Sequence, residues 1–304
     1  TADPVAYARG HHLHETTRDR VQWQDCSGMR VIANPPWIPS QKDLDRVFAL
    51  PFTREAHPMY RGAPIPALET VRASITTHRG CFGGCAFCAI GNHQGKTVVS
   101  RSKESILAEI QRIAGLPGFR GTITDLGGPT ANMYGLHCKL PKPCNRVSCL
   151  SPDLCGNLNV DQRPYLELLK EAGAVKGIKH LFVATGIRMD LALLFEPLIR
   201  ALACEHTSGN LKVAPEHISP RVLGMMRKPA GNEFERFIAK HRQISKEAHR
   251  DQFVLPYFIA AHPGCTVQDM VEVMEFLKAH HIVVEQCQIF TPTPGTASTV
   301  MYAT

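Results

Sequence analysis

Residues 70–88 read TVRASITTHRGCFGGCAFC. The first eight, Thr70–Thr77, are rich in β-branched residues and predict a strand. A loop follows at once, with Cys81, Cys85 and Cys88 in a C-x3-C-x2-C spacing and Gly83 and Gly84 between the first two. Downstream, the same alternation of strand and helix continues. Residues 102–115 predict a helix, with Ile106, Leu107, Ile110 and Ile113 on one face, Ser102 as N-cap and Gly115 as stop. Strands are predicted at 119–128, 179–186, 211–217, 253–264 and 282–290. Helices are predicted at 164–173, 189–203, 232–248 and 266–280, the last opened by a Thr266/Asp269 capping box. Six strands alternating with helices argue for an α/β fold with parallel strands. Six units fall short of the eight of a full barrel, so the residues leave a partial barrel and a doubly wound sheet both open. Either places its chemistry at the carboxyl ends of the strands, where the cysteine loop stands.

Composition narrows the rest. The 304 residues are 44% hydrophobic and 20% charged, which fits a folded chain with a large core. No run of about 18 apolar residues occurs, so no membrane span is expected. Net charge is +7, but the basic residues are dispersed, so RNA is the weaker reading against solvated surface charge. Residues 1–69, rich in Pro, His and Trp, read as an extended linker or approach segment ahead of a core over 70–304. The opening TADPVAYARGHH has neither an initiator Met nor an apolar leader core, and the ending TVMYAT is equally abrupt. Both read as cut edges, so a longer parent protein is expected.

Seven of the eleven cysteines fall between positions 81 and 155. In a chain of this size they point to metal or redox chemistry in a reducing compartment, the cytoplasm. Cys26, Cys204, Cys265 and Cys287 stand apart and read as small apolar residues. Three thiols in one loop can grip three corners of a [4Fe–4S] cube and leave one iron open, whereas a closed structural site takes four ligands. Gly83 and Gly84 suit this by letting backbone N–H groups turn toward sulfur. A Cys3His zinc site from Cys81, Cys85, Cys88 and His93 is the competing reading.

The loop resembles the signature of the radical S-adenosylmethionine (SAM) superfamily, with Phe87 in the usual aromatic place before the last cysteine. RGCFGGCAFC, SRSKESI, DLGGPTANMY, APEH, MMRKP, PYFIAAHPG and the earlier DRVFALPF closely resemble the YgiQ-type radical SAM proteins over nearly the whole chain. The resemblance implies a partial (β/α)6 TIM-like barrel whose Cys81, Cys85 and Cys88 ligate a site-differentiated [4Fe–4S] cluster. SAM would chelate the open iron and be cleaved reductively to methionine and a 5′-deoxyadenosyl radical. An electron donor such as flavodoxin or ferredoxin is implied, with the substrate unnamed and RNA among the candidates. Gly127 and Gly128 take the place of the glycine-rich SAM motif. Pro129 replaces its usual acidic residue, so that contact is left to backbone carbonyls. Glu216 is a candidate for SAM or ribose contact, and Arg101, with Arg227 after it, for the SAM carboxylate. His262 reads as structural. Two further readings are a methylthiotransferase-like tRNA modification, from the resemblance of IFTPTPGTAS, and a zinc-binding structural or nucleic-acid module.

A second thiol group, Cys138, Cys144, Cys149 and Cys155, lies in a cysteine-rich insertion over 127–160. A connection this long at the end of a strand is expected to be functional and to cover the first group. Four thiols can close a zinc site or hold a second iron–sulfur cluster, and Lys139, Lys142 and Arg146 are expected to lower their pKa values.

Overall fold

Short parallel strands joined by helical connections need a partner on both sides, and the chain supplies it in sequence order. The computed structural model describes residues 3–141, 144–284 and 286–304. The first strand, Ser74–Thr76, pairs in parallel with Asp125–Gly127, in the register Ser74 to Asp125 and Thr76 to Gly127. Just before it, Thr122–Ile123 pairs with the third strand, His180–Leu181. The second strand therefore divides at Thr124, one half facing each neighbour. A bridge from Ile187 to Val213 leads to the fourth strand, Asn210–Glu216. This pairs with the fifth, Phe253–Ala260, which pairs with the sixth, Gln286–Ile289, all in parallel.

The strands are shorter than their β-rich runs suggest. Thr70 and Val71 belong to a one-turn helix, Leu68–Val71, and Glu285 lies outside the described residues. Side chains replace the missing ladder bonds. Asp125 accepts from the backbone N–H groups of Ala184 (2.8 Å) and Thr185 (2.9 Å), and Leu126 donates to the Phe182 carbonyl (3.0 Å). Outside the strands, Lys103–Ala114 buries Ile106, Ile110 and Ile113 with no more than 1% exposed. Arg163–Gly173 adds Tyr165, Leu168 and Leu169, and Glu233–Glu247 adds Phe237 and Ile244, to one core with Ile75, Leu126, Val213 and Phe258. Burial of this area is the main favourable term in the fold. The Thr266/Asp269 capping box is present on Val267–Ala279.

Residues 1–69 depart from the expected extended segment. They hold a helix, Pro4–Thr16, a hairpin, Gln22–Cys26 with Met29–Ala33, and a second helix, Gln41–Phe48, with a Ser40/Asp43 capping box. Pro4 at the first turn and the Ser40 cap were the legible start signals. This part docks through ions. Asp45 accepts from Ser102 N–H (2.9 Å), so it caps Lys103–Ala114 from another segment. Arg101 lies fully buried, with its guanidinium over the Phe48 ring at 4.2 Å, donating to Glu109 (2.5 Å) and to the Thr76 carbonyl (2.8 Å). Arg54 closes the network on the other Glu109 oxygen. Replacing Glu109 by Ala strands two guanidinium groups away from water, and a loss of about 3–5 kcal/mol of unfolding free energy is expected in urea titration.

Two buried imidazoles make the fold acid-sensitive. Burial holds both His78 and His241 down to about 4. The unfolded chain takes up these protons near 6.5, so it binds more protons than the folded chain between pH 6.5 and 4. Stability is expected to be full above pH 6.5 and to fall as pH drops toward 4, by roughly 3 kcal/mol per histidine at most. Urea midpoints across that window check this, and a His241→Phe variant should show a shallower fall.

Candidate functional site

The cysteine loop is a folded turn pinned from several sides. Cys81 N–H donates to the Gly95 carbonyl (3.1 Å), Ala86 N–H to that of Met226 (2.9 Å), and Ser298 N–H to that of Ala86 (2.9 Å). Two glycines are forced. Gly80 has φ +85° and a Cβ there would lie 2.0 Å from the Thr97 carbonyl oxygen; Gly84 has φ +62° and would meet Val147 O at 2.4 Å. Gly83 acts on the sulfurs themselves. Its N–H donates to Cys81 Sγ (3.4 Å), and an added Cβ would sit 3.3 Å from Cys81 Sγ and 3.8 Å from Cys85 Sγ. The glycine keeps open a hollow between the two thiols.

Cys81, Cys85 and Cys88 line one cavity of about 370 Å³ together with Phe87 and Glu216. Burial pushes the Cys81 thiol up to about 11, with Cys85 adding, and also raises that of Cys88. Such thiols ionise readily only with positive charge beside them, which a bound iron–sulfur cluster supplies. Among the described residues no three His, Cys, Asp or Glu side chains converge on one metal-ion position. Four ligands on one zinc stand within about 4 Å of one another. His93, which ends the short helix Ile90–His93, is not among the residues lining the cavity that the three thiols share. Thiols spread around a hollow, with a backbone donor on one sulfur, fit a wider cluster.

Glu216 ends the fourth strand at a register shift, with φ +69° and 7% of its surface exposed. Its Oε2 has no hydrogen-bond partner. Burial raises its pKa, against the pull of Lys228 and Arg188. Five further charged residues line this cavity and were missed in sequence: Arg188, Asp190 and Lys228, with Glu233 and Glu235 of the helix Glu233–Glu247. Arg188 Nε and Nη2 donate to Asp190 (2.9 and 2.7 Å), and Nη1 reaches Cys85 Sγ at 3.6 Å. Burial works against the Arg188 charge, but Asp190 and the thiols of Cys85 and Cys81 outweigh it and raise its pKa. Asn132 holds the turn in place, accepting from Arg188 N–H (2.8 Å). The signal in ATGIRMDLALLF was an Arg and an Asp interrupting an apolar run just after a strand. Lys228 Nζ donates to the Ala214 carbonyl (2.6 Å).

Other expected site residues sit elsewhere. Arg101 does not line the cavity; its guanidinium is spent on Glu109, Thr76 and Ser105. Arg227 pairs with Glu15 of the first helix (2.6 and 2.9 Å) and lines a neighbouring cavity. Gly127 packs under Thr185, where a Cβ would lie 2.6 Å from Oγ1, and its carbonyl already accepts from Thr77 N–H (2.6 Å) and Thr77 Oγ1 (3.0 Å). That carbonyl has no lone pair left for a ligand amine. Gly128 packs on His78, whose ring a Cβ would meet at 2.5 Å; Pro129 and Thr130, the next two residues, reach the cavity. His262 bonds Ser298 Oγ (2.6 Å), a structural contact.

In the insertion, Cys138 is exposed, Cys144 and Cys155 are half-buried, and Cys149 is buried. Lys142 lies outside the described residues. Arg146 turns to backbone, donating to the carbonyls of Ser148 (2.6 Å) and Asp153. Burial raises the Cys149 thiol, and the cation opposing this is Lys96, not Arg146 or Lys139.

Residues 1–74 match the family model "Radical SAM N-terminal" and residues 75–277 match "Radical SAM superfamily". A UPF0313 protein of Methanocella arvoryzae is 48% identical over 90% of this chain and 46% of its own length. The UPF0313 protein YgiQ of Escherichia coli is 44% identical over 99% of this chain and 42% of its own length. The chain thus spans under half the length of these curated relatives. The radical SAM methyltransferase TsrM of Kitasatospora setae, solved with cobalamin and a [4Fe–4S] cluster, aligns with a TM-score of 0.49 and 16% identity over 74% of this chain and 38% of its own. With its cysteine loop and both family models spanning residues 1–277, the chain belongs to the radical SAM superfamily, enzymes that act through a [4Fe–4S] cluster and SAM.

Proposed function

We propose that this chain is the SAM-cleaving core of a larger radical enzyme, built as a partial (β/α)6 barrel over residues 70–304 with residues 1–69 as a docked N-terminal segment. The reading rests above all on one observation. Three thiols of a single pinned loop open into the same cavity as an unpartnered buried carboxylate and a buried Arg–Asp pair. Cys81, Cys85 and Cys88 would hold the cluster, which when bound supplies the electron that splits SAM into methionine and a 5′-deoxyadenosyl radical. The protein's work is to hold and to exclude. Phe87, packed with Met225, Val222 and Ile259, closes one wall against water. Arg188, fixed by Asp190, sets a positive charge beside Cys85, which complements the negative charge of a thiolate-ligated cluster. Glu216 offers a free acceptor oxygen, and its acceptor capacity suits the hydroxyl groups of a ribose. The glycine pair shapes the strand end, leaving cofactor contact to the segment from Pro129 onward. No helix among the described residues is long and apolar enough to cross a membrane. A reducing cytoplasm and a low-potential flavodoxin or ferredoxin as donor complete the proposal.

Protein reconstituted anaerobically with iron and sulfide, then given SAM and dithionite, is expected to form 5′-deoxyadenosine, and Cys85→Ala to form none. Absence of product from wild-type protein loaded with iron would sink the reading for this chain. Glu216→Ala is expected to keep its iron and to weaken SAM binding about tenfold, near the 1.5 kcal/mol of one hydrogen bond to a charged group. Equilibrium binding of SAM to the oxidised protein measures this. Unchanged affinity would remove Glu216 from the site.

A further inference from the structure

We propose that Cys138, Cys144, Cys149 and Cys155 hold a second [4Fe–4S] cluster, set between the protein surface and the first thiol group so that electrons pass inward through it. Its role rests on the radical SAM reading; its existence does not. Backbone contacts within the insertion link three of these residues to one another. Cys138 lies opposite Leu158 in the antiparallel pair His137–Cys138 and Leu158–Asn159. Leu158 N–H donates to the Cys155 carbonyl (2.9 Å), and Cys155 N–H to that of Cys149 (2.8 Å). Three of the four are thus joined through a short run of backbone contacts. The fourth is tied in by Lys96, whose ammonium donates to the Cys144 carbonyl (3.3 Å).

An all-thiol donor set selects zinc or an iron–sulfur cluster. Thiolates on one zinc would stand within about 4 Å of one another. Among the described residues no such convergence exists, at this group or at Cys81, Cys85 and Cys88. The direct bonds between the insertion and the first cysteine loop favour the redox-active of the two, the iron–sulfur cluster. Its position gives it a task. Cys149 N–H donates to the Phe82 carbonyl (3.0 Å) and Ser148 Oγ to that of Gly83 (2.6 Å), so the insertion is bonded directly to the first cysteine loop. Cys149, Cys155 and Cys81 pack on one apolar cluster with Phe82, Leu136 and Leu158. Cys138, at the other side, faces solvent. A low-potential one-electron carrier protein would dock at the exposed side and be oxidised. The outer cluster would gain that electron and pass it to the inner one, with no bond made or broken.

The test is metal content after anaerobic reconstitution. Wild-type protein is expected to carry about eight irons and eight sulfides, and a Cys81→Ala/Cys85→Ala/Cys88→Ala variant to keep about four of each and a brown colour. Cys138→Ser, which changes only an exposed side chain, is expected to lose about four irons in the wild-type background. Folding of Cys138→Ser is judged on metal-free protein, whose thermal midpoint should equal that of metal-free wild type, and the loaded variant should lose reduction of the inner cluster by reduced flavodoxin, followed by electron paramagnetic resonance, while dithionite still reduces it. A triple variant that is colourless, or that carries one zinc instead of iron, overturns the second cluster. Equal reduction rates with flavodoxin in wild type and Cys138→Ser overturn the relay. A triple variant with about four irons alongside wild type that makes no 5′-deoxyadenosine upholds this proposal and rejects the SAM-cleaving one.

Discussion

The cavity exists because the backbone of one turn, Cys81–Cys88, is held by hydrogen bonds to distant parts of the chain. Cys81, Phe82 and Ala86 are bonded to Gly95, Cys149, Met226 and Ser298. Each bond is worth only about 1 kcal/mol net. Their value lies in geometry, since they fix three sulfurs before any metal arrives, and preorganised ligands lose little freedom on binding. Gly80 and Gly84 make the fixing feasible, because other residues would drive a methyl group into a neighbouring carbonyl.

Charge inside the cavity follows the same economy. Arg188 and Asp190 neutralise each other within a buried turn, so neither needs water, yet one guanidinium nitrogen remains directed at Cys85. Arg101 and Glu109 use the same device in the opposite direction. There the pair fastens the N-terminal segment to the first strand and contributes nothing to the cavity. Two buried arginines differ because one follows the third strand into the cavity and the other, just before the N-cap Ser102, turns back onto Glu109 and Ser105 of the helix Lys103–Ala114.

The alternation of strands and helices was legible because helix faces such as Ile106, Ile110 and Ile113 carry a clear period and a Ser102 cap. The three cysteines were legible from spacing alone. Strand lengths were not, since a β-rich run marks where a strand can form while pairing partners decide where it does; Thr124 interrupts one such run to serve two neighbours. The N-terminal helices were missed because Pro4–Thr16 buries no residue fully and so shows no apolar period. Arg188 and Lys228 were missed and Arg101 misplaced for one reason. Which way a charged side chain turns at a strand end depends on partners such as Asp190 and Glu109, far away or unremarkable in sequence.

The turn of Cys81–Cys88 has an effect on the molecule's mechanics. Ser298 follows the sixth strand, and its N–H bonds to Ala86, which follows the first; Asn92 likewise bonds the Gly295 carbonyl. The loop is a clasp across the two ends of the strand series, which share no ladder among the described residues. On the proposed reading, metal held in that clasp would stiffen a seam that the sheet itself leaves open, and metal affinity and global stability would be thermodynamically linked. Oxidative loss of iron would then be felt first as fraying at residues 295–304, far along the chain from the thiols that let it go.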